Sequence, residues 1–532
     1  MINWRRKLQF LFGDLTLILV VLGFLVLINF LSYRHFVRLD LTENRIYTLS
    51  ESSRTVVNKL SDPVTIQCFF SKKAPPELAA LKQQIADLLE EYRVSGKGKV
   101  KVIFSDPADN ALLQKRVQVM GIPQVQMNVY EKDQAQITNV YMGVAISYED
   151  RQEILPFVKD AKNLEYDITS AILRLLKNER KRIVFLTGGE EYDLNGPFGT
   201  VRKILEPLYD LTAFHPTAVD AIPAGTDLLI VVSPEVIPEK TKHAIDQFVM
   251  RGGKVFFLID RVNIDGATMT ASRRGSNLED LIASYGVRVT QDLVLDRFNT
   301  AINFRTGFTI LRVPYAFYPK VAKTGFASDN TIVNRLEALS LPWVTALEVL
   351  EKPDVKSTIL ARSSPYSWLQ RGMYNISPAQ EFNPPAGEIR SYPLIVLLEG
   401  KFSSFYSGST ARDDREQSLG RAQPVLPIRS QKDTKILVMG NGRFLADGFI
   451  TAPGNADFFL NAVDWFTWGD DLIGIRSKKM LNRPLPILTE KQKRFIKYGN
   501  MIGVPLVVVL TGVLRFYLRQ RRKNAYLKGK TA

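Results

Sequence analysis

The sequence predicts an α/β protein in which two membrane-spanning helices flank a large folded region. Three features carry this expectation: a long apolar run near the start, a shorter one near the end, and strands and helices alternating in order between them. At 532 residues, with 45% hydrophobic and 23% charged, the chain can bury more than one core, and its composition suggests neither disorder nor fibre.

The first run, residues 10–31 (FLFGDLTLILVVLGFLVLINFL), is long enough to cross a bilayer core of about 30 Å as a helix. It is longer than the apolar region of a cleaved signal peptide and exits through SYRHF, so it reads as an uncleaved anchor. Its one acid, Asp14, fits an interfacial pairing with the nearby Arg5, Arg6 and Lys7 better than a proton relay. The second run, 495–518, is clean only over MIGVPLVVVLTGVL before Arg515, and the tail RQRRKNAYLKGK decides the reading. Basic residues flanking a span stay inside, so Arg5, Arg6, Lys7, Arg519, Arg521, Arg522 and Lys523 set both termini as cytoplasmic. The expected location is the bacterial inner membrane, with the lipid bilayer as partner and the bulk of the chain extracytoplasmic. Of 70 Lys and Arg, three precede the first run and seven lie at Arg515 or beyond, which leaves the middle at about +6 against a formal +16. The basic balance is therefore no nucleic-acid signal.

One cysteine, Cys68, permits no internal disulfide, and its place in VTIQCFF fits a buried small hydrophobe rather than a reactive thiol. After the cytoplasmic segment 1–9 and the first span, residues 32–62 form a membrane-proximal collar. There Asp40, Leu41, Thr42, Tyr47, Leu49 and Ser50 lead into a helix that Ser50 caps and that presents Val56, Val57 and Leu60. Residues 63–160 read as strand VTIQCFF, helix PELAALKQQIADLLEEYRV, strand KVKVIFSDP, a short helix and two alternating strands. This βαβα unit with a hairpin predicts a thioredoxin-like domain, without the C-x-x-C that redox chemistry needs.

Residues 161–296 open with a helical pattern over NLEYDITSAILRLLKNERK, then alternate KRIVFLTGG, DLLIVVSP and KVFFLID with helices. Strands with unbroken apolar runs fit a buried parallel sheet, so a flavodoxin-like or amidotransferase-like three-layer domain is expected. TKILVMGNGRF and NADFFLNAVDWFTWG, within 433–480, read as its last strand and helix, returned to after a β-rich insertion over 297–432. Inside that insertion, 409–423 breaks every periodicity and reads as a mobile loop. A linker, 481–494, leads to the second span, 495–518, and the basic tail, 519–532.

Several chemistries are excluded by residue type. GKGKVK and RGGKVFF lack the spacing of a phosphate-binding loop, and Gly252 and Gly253 suit a helix stop. His35, His215 and His243 are scattered and form no zinc pattern, so neither cofactor nor metal is expected. VFLTGGEEYD remains, because ligands in open α/β sheets sit past the carboxyl ends of strands. Its turn carries no Cys or Ser, and Thr187 has no histidine at a recognisable partner position. Thr187, Gly188, Gly189, Glu190 and Glu191 are thus expected to form a ligand or partner loop, or simply a tight solvent-facing turn, with no catalytic residue among them.

RLDLTENRIYTLS, SDP (105–107), NLEYDIT, FLTGGEE, DLLIVVSP, IDQFVMRGGKVFFLID, EGKFSSFY and NAVDWFTWGDDLIGIRSK occur in this order along nearly the whole chain. Together they resemble the GldG-like, gliding-motility-type auxiliary subunits of ABC-type transporters. That family often has Gly-His-Gly-Glu where this chain has Gly188, Gly189, Glu190 and Glu191. The resemblance implies a non-enzymatic subunit working with an ABC permease and a cytoplasmic ATPase, with an ectodomain similar to inactive amidotransferase-like folds, and implies nothing about motility. Two other expectations stay open: an envelope scaffold that binds envelope components, and a cryptic hydrolase using Thr187 or Glu190.

Overall fold

The computed structural model describes residues 20–27, 29–30, 48–72, 76–131, 134–161, 163–177, 180–218, 221–266, 268–306, 309–372, 374–384, 387–408, 429–469, 472, 475, 494, 497–499, 501 and 504–528. The chain forms two compact units, Met1–Lys479 and Met480–Ala532.

The first unit is mixed α/β. Its amino-terminal sheet has the order β2-β1-β5-β6, built from β1 (Val64–Phe70), β2 (Val100–Ser105), β5 (Met142–Tyr148) and β6 (Arg151–Leu155). β1 and β2 are parallel, joined through the helix Pro76–Ser95, whereas β5 runs antiparallel to β1 and β6 to β5. A separate hairpin, β3 (Val125–Glu131) with β4 (Gln134–Val140), stands beside this sheet in the chain order.

The second sheet positions the site. It comprises β7 (Arg182–Thr187), β8 (Asp210–Phe214), β9 (Thr226–Val232), β10 (Val255–Leu258), β18 (Val355–Arg362), β21 (Pro393–Gly400) and β22 (Thr434–Met439) in the order β18-β21-β22-β10-β9-β7-β8. The five strands from β22 to β8 are parallel, and β21 and β18 extend the edge antiparallel. Successive residues of a strand face opposite sides. Ile183 and Phe185 therefore join the core containing the helices Leu164–Lys177 and Asn455–Trp468, while Val184 and Leu186 join the core containing Glu239–Met250 and Glu279–Tyr285. From β7 the chain moves to β8 on one side, then returns to β9 on the other. The direction of winding reverses between β7 and β9, and that reversal opens a crevice at the carboxyl ends of these two strands.

The remaining strands, β11 (Val262–Asp265), β12 (Thr270–Arg273), β13 (Val287–Asp296), β14 (Asn299–Thr306), β15 (Thr309–Ala322), β16 (Ala338–Ser340), β17 (Thr345–Val349), β19 (Ser367–Gln370) and β20 (Tyr374–Asn375), form three small sheets. Several pack around a core of their own that includes Tyr315, Phe317 and Trp368. The 297–432 segment is thus not wholly separate, since β18 and β21 lie within it and complete the seven-stranded sheet.

A buried polar chain ties the helix Glu51–Asn58 to the helix Leu164–Lys177. Ser50 caps Glu51–Asn58 by accepting from the Ser53 amide, and its own amide donates to Glu165 Oε1 at 2.6 Å. Ser53 Oγ donates to the same oxygen at 2.8 Å and accepts from Thr169 Oγ1 at 3.0 Å. The Tyr92 hydroxyl reaches Thr169 Oγ1, and burial holds its proton well above the usual tyrosine range. Val56, Val57 and Leu60 are fully buried in the shared core, and Leu49 is buried beside them. Asp40, Leu41, Thr42 and Tyr47 of the expected collar motif lie outside the described residues.

The expected membrane location is overturned. Among the described residues, no helix is long and apolar enough to cross a membrane. The carboxyl-terminal helix, Val504–Lys528, runs on without interruption through Arg515, Arg519, Arg521, Arg522 and Lys523. Its apolar part, 504–514, rises only about 16 Å, roughly half of a bilayer core. Of the first expected span, 20–27 and 29–30 are helical and the rest lies outside the described residues, as do Arg5, Arg6 and Lys7. The placement of both termini inside an inner membrane and of the bulk beyond it rested on those two spans, and falls with them.

Candidate functional site

β7, β9, β10 and β22 all end on one edge of the large sheet, and each delivers a polar group there. Thr187 closes β7, paired with Val232 and half-buried. Gly188 follows, buried, and its backbone lies so close to the β9 exit that a β-carbon would meet Pro234 Cα at 2.3 Å. Gly189 is exposed with φ of 100°, a left-handed conformation that glycine adopts without penalty. The chain then makes a single 3-10 turn, Glu190–Tyr192, in which Glu190 is exposed, Glu191 half-buried and Tyr192 buried.

Ser233, just past β9, has φ of 39° and its Oγ accepts from the Asp260 amide at 2.8 Å, while its one hydroxyl proton is shared between Leu258 O and Asp260 Oδ2, both at 3.1 Å. Asp260, past β10, is 2% exposed. It also accepts from the Tyr192 hydroxyl at 2.8 Å, the Gly442 amide at 2.9 Å and Asn441 Nδ2 at 3.4 Å. Burial pushes its carboxyl above the ordinary value, against the opposing pull of Arg443 and these donors.

Two arginines bind the GGEE turn to the rest of the edge. Arg274, 4% exposed, donates from Nη1 to Glu191 Oε1 and to Asn263 Oδ1, and from Nη2 to the carbonyls of Gly188 at 3.2 Å and Ser233 at 3.1 Å. Its guanidinium also lies 5.3 Å from the Tyr192 ring centroid. Arg443 donates from Nη2 to Glu191 Oε2 at 2.7 Å. The Nε atoms of Arg274 and Arg443 are buried and find no hydrogen-bond partner among the described residues.

Beside this cluster opens a cleft of about 320 Å³ whose wall includes Gly188, Glu190, Glu191, His215, Glu235 and Arg274. A larger cleft of about 720 Å³ lies along β6 and the helix Leu164–Lys177, walled in part by Glu153, Lys159 and Arg174. It sits away from the strand ends, and its Arg174–Glu153 pair is a 2.9 Å contact of the wall itself. The smaller cleft is the one at the winding reversal.

His215 is exposed, and its Nδ1 lies 2.8 Å from the Thr217 hydroxyl. Glu191, Asp260, Arg274 and Arg443 form a cluster of two acids and two bases, and the exposed Glu235 adds a third acid 3.7 Å from Arg274 Nη2. Of these, only Glu191 stands out in the sequence as a site residue. Ser233, Asp260 and Arg443 carry a weaker signal, since each follows a strand that reads clearly as DLLIVVSP, KVFFLID or TKILVMGNGRF. Arg274 sits in RRG with no local signal at all. Of the residues expected to set topology, Arg519 and Arg521 are exposed on the carboxyl-terminal helix, which also carries Arg522 and Lys523.

Comparison with known proteins places this edge inside a recognised region. A family model described as an ABC-type uncharacterized transport system matches residues 180–462, and a domain of unknown function, DUF7088, matches residues 43–147. A Borreliella burgdorferi protein, itself described as uncharacterized, is 23% identical over 534 residues, covering 96% of this chain and 98% of its own length. Among solved structures, the N-terminal domain of mmIFT52 is 14% identical with a TM-score of 0.34, covering 55% of this chain and 99% of its own. A ThuA-like protein from Parabacteroides merdae is 11% identical with a TM-score of 0.29, covering 59% and 96%. The matched region runs from the strand before the GGEE turn to the helix Asn455–Trp468 and so takes in the whole switch-point cluster; the chain belongs to the family of auxiliary proteins of ABC-type transport systems.

Proposed function

We propose that this auxiliary protein is a non-catalytic, GldG-like subunit that associates with an ABC permease and its ATPase and receives a substrate or partner in the cleft beside Gly188, Gly189, Glu190 and Glu191. The observation that carries the reading is the family match over 180–462, which contains the cleft at the winding reversal of the large sheet. Open α/β sheets bind ligands at that position. Polar groups at the strand ends are spent on one another, Asp260 with Tyr192 and Ser233, Glu191 with two arginines, which supports recognition over chemistry.

Affinity purification of the full chain from a mild detergent extract tests the association. A permease and an ATPase are expected to co-purify, and substitution of Glu190 and Glu191 by Gln is expected to alter transport-coupled ATPase activity while leaving assembly intact. Repeated recovery of the chain alone would remove the subunit reading, and coupling indifferent to the turn would remove the cleft's role.

A further inference from the structure

Glu191 occupies an unusual position for a surface-turn carboxylate. One of its oxygens takes a proton donor from Arg274 and the other from Arg443, so a single planar group bridges two guanidiniums that come from distant parts of the chain. Both guanidiniums keep a buried Nε without a partner among the described residues, so the pair offers more donors than this carboxylate and the neighbouring carbonyls consume.

The turn that holds Glu191 is also poised to give it up. Gly188 is pinned against Pro234, but Gly189 has φ of 100° and nothing within 4 Å of where a β-carbon would stand. Glu191 itself sits in one 3-10 turn, and its side chain is 37% exposed. Swinging it outward would uncover Arg274 on the wall of the cleft of about 320 Å³, a size at the lower end of small-molecule sites, and would vacate the place through which Arg443, not itself part of that wall, is reached.

Charge decides what could take its place. Arg274 is 4% exposed, and without Glu191 its remaining carboxylate neighbour, Glu235, lies 3.7 Å away and is 67% exposed, so an anion is favoured in the place of Glu191. A monoanion restores the single charge that Glu191 supplied, whereas a dianion would add repulsion beside Asp260 and Glu235. A planar carboxylate also reproduces the bridge of one oxygen per guanidinium that Glu191 shows.

We propose that the cleft binds a small carboxylic acid whose carboxylate replaces that of Glu191 on Arg274 and Arg443, Glu191 serving as an internal occupant in the ligand-free state. This deepens the reading of the cleft as a receiving site and rests on it. Gly189 is the hinge about which the turn opens, and Arg274 is the residue that senses exchange, because it also holds the Gly188 and Ser233 carbonyls.

The experiment titrates purified full-length chain with propionate at constant ionic strength, followed by calorimetry and by the shift in melting temperature. Propionamide and inorganic phosphate are the comparison arms. Glu191→Ala removes the internal competitor, so propionate is expected to bind at least about tenfold more tightly to it than to the wild type. Propionamide should have no effect, phosphate should bind more weakly than propionate, and the Glu191→Ala, Arg274→Gln double variant should lose the response. If Glu191→Ala does not fold, Glu191→Gln retains the side-chain volume and should still gain propionate affinity over the wild type. Equal propionate affinity in wild type and variants, an equal response to propionamide, or phosphate matching propionate would overturn the proposal. Because binding is measured on the isolated chain, its failure is separable from that of the transport reading: a complex that assembles and couples while the variants ignore propionate refutes only the carboxylate ligand.

Discussion

Gly188 and Pro234 touch backbone to backbone: a β-carbon on Gly188 would come within 2.3 Å of Pro234 Cα and 2.9 Å of the Ser233 carbonyl oxygen. Neither obstacle is the end of a flexible side chain, so β7 and the β9 exit would have to separate. Gly188→Ala is expected to lower stability by about 2–3 kcal/mol, as overpacking against fixed atoms does. Gly189→Ala meets open space and pays only for its backbone, φ 100° and ψ 167°, a region nearly confined to glycine, at about 1–3 kcal/mol. Urea midpoints with unchanged m-values check the pair, and a Gly188→Ala protein as stable as the wild type would contradict the geometry.

Arg274 gathers the turn through contacts to Glu191, Gly188, Ser233 and Asn263. Arg274→Met keeps the apolar stem but leaves two carbonyls and a carboxylate without that donor, which should cost on the order of 2–4 kcal/mol. A double-mutant cycle with Glu191→Gln should return a coupling of about 1 kcal/mol or more. The exposed Arg288–Glu348 pair, at 2.9 Å, provides the contrast, and its removal should cost under about 1 kcal/mol.

That contrast also explains what the sequence reveals and what it conceals. Strands buried on both faces appear as unbroken apolar runs, so β7, β9, β10 and β22 are legible in RIVFLT, DLLIVV, VFFL and TKILVM. Ser50 is legible as a cap because capping is a local interaction, but its second partner, Glu165, is 115 residues away and invisible to any window. The same holds at the site. Glu191 is marked by its place after a strand, whereas its partners Arg274 and Arg443 lie 83 and 252 residues further on. Pairing of β21 with β22 is likewise non-local, so the 297–432 segment reads as an insertion even though it completes the large sheet. At the carboxyl end, the apolar residues before Arg515 encourage a membrane reading, but helix propensity carries the same helix on through the basic residues, leaving too short an apolar stretch.

The cap and its carboxylate partner make separable contributions. Ser50→Ala loses the acceptor for the Ser53 amide and should cost about 1 kcal/mol. Glu165→Ala leaves both the Ser50 amide and the Ser53 hydroxyl without their shared acceptor in a buried setting, so about 2–3 kcal/mol is expected. Hydrogen exchange should localise the effect: amides of Glu51–Asn58 exchange faster in both variants, while those of β9 and β10 change only as far as global stability does.

Cys68 faces the core from β1, fully buried, and burial pushes its thiol up to about 12. The thiolate is the reactive form, so the folded protein should resist iodoacetamide at pH 8. Labelling measured across a urea series should rise with the global unfolding transition and not before it. Rapid labelling in the absence of urea would show that β1 opens locally or that Cys68 is not packed as described.

Lys254 tests the opposite edge of the large sheet, where the strands begin. Its ammonium donates to the Phe466 carbonyl at 2.5 Å, and burial lowers its pKa from the ordinary 10.5, helped by the charges of Lys435 and Lys181 and opposed by Asp227. A base whose folded pKa is depressed takes up its proton more readily when unfolded. In the window between the depressed folded value and 10.5, the unfolded state therefore binds more protons, and stability rises with pH. Above 10.5 the penalty vanishes; below the folded value it is complete. Lys254→Met removes the titration, so the stability of the wild type relative to this variant should be lowest near neutrality and increase steadily toward pH 10.5. Urea unfolding of both proteins from pH 7 to 10.5 gives the difference directly, with the lysines and tyrosines that do not interact with Lys254 cancelling between them. A difference that is flat, or that falls as pH rises, would show that the ammonium is as well accommodated at the sheet edge as in water.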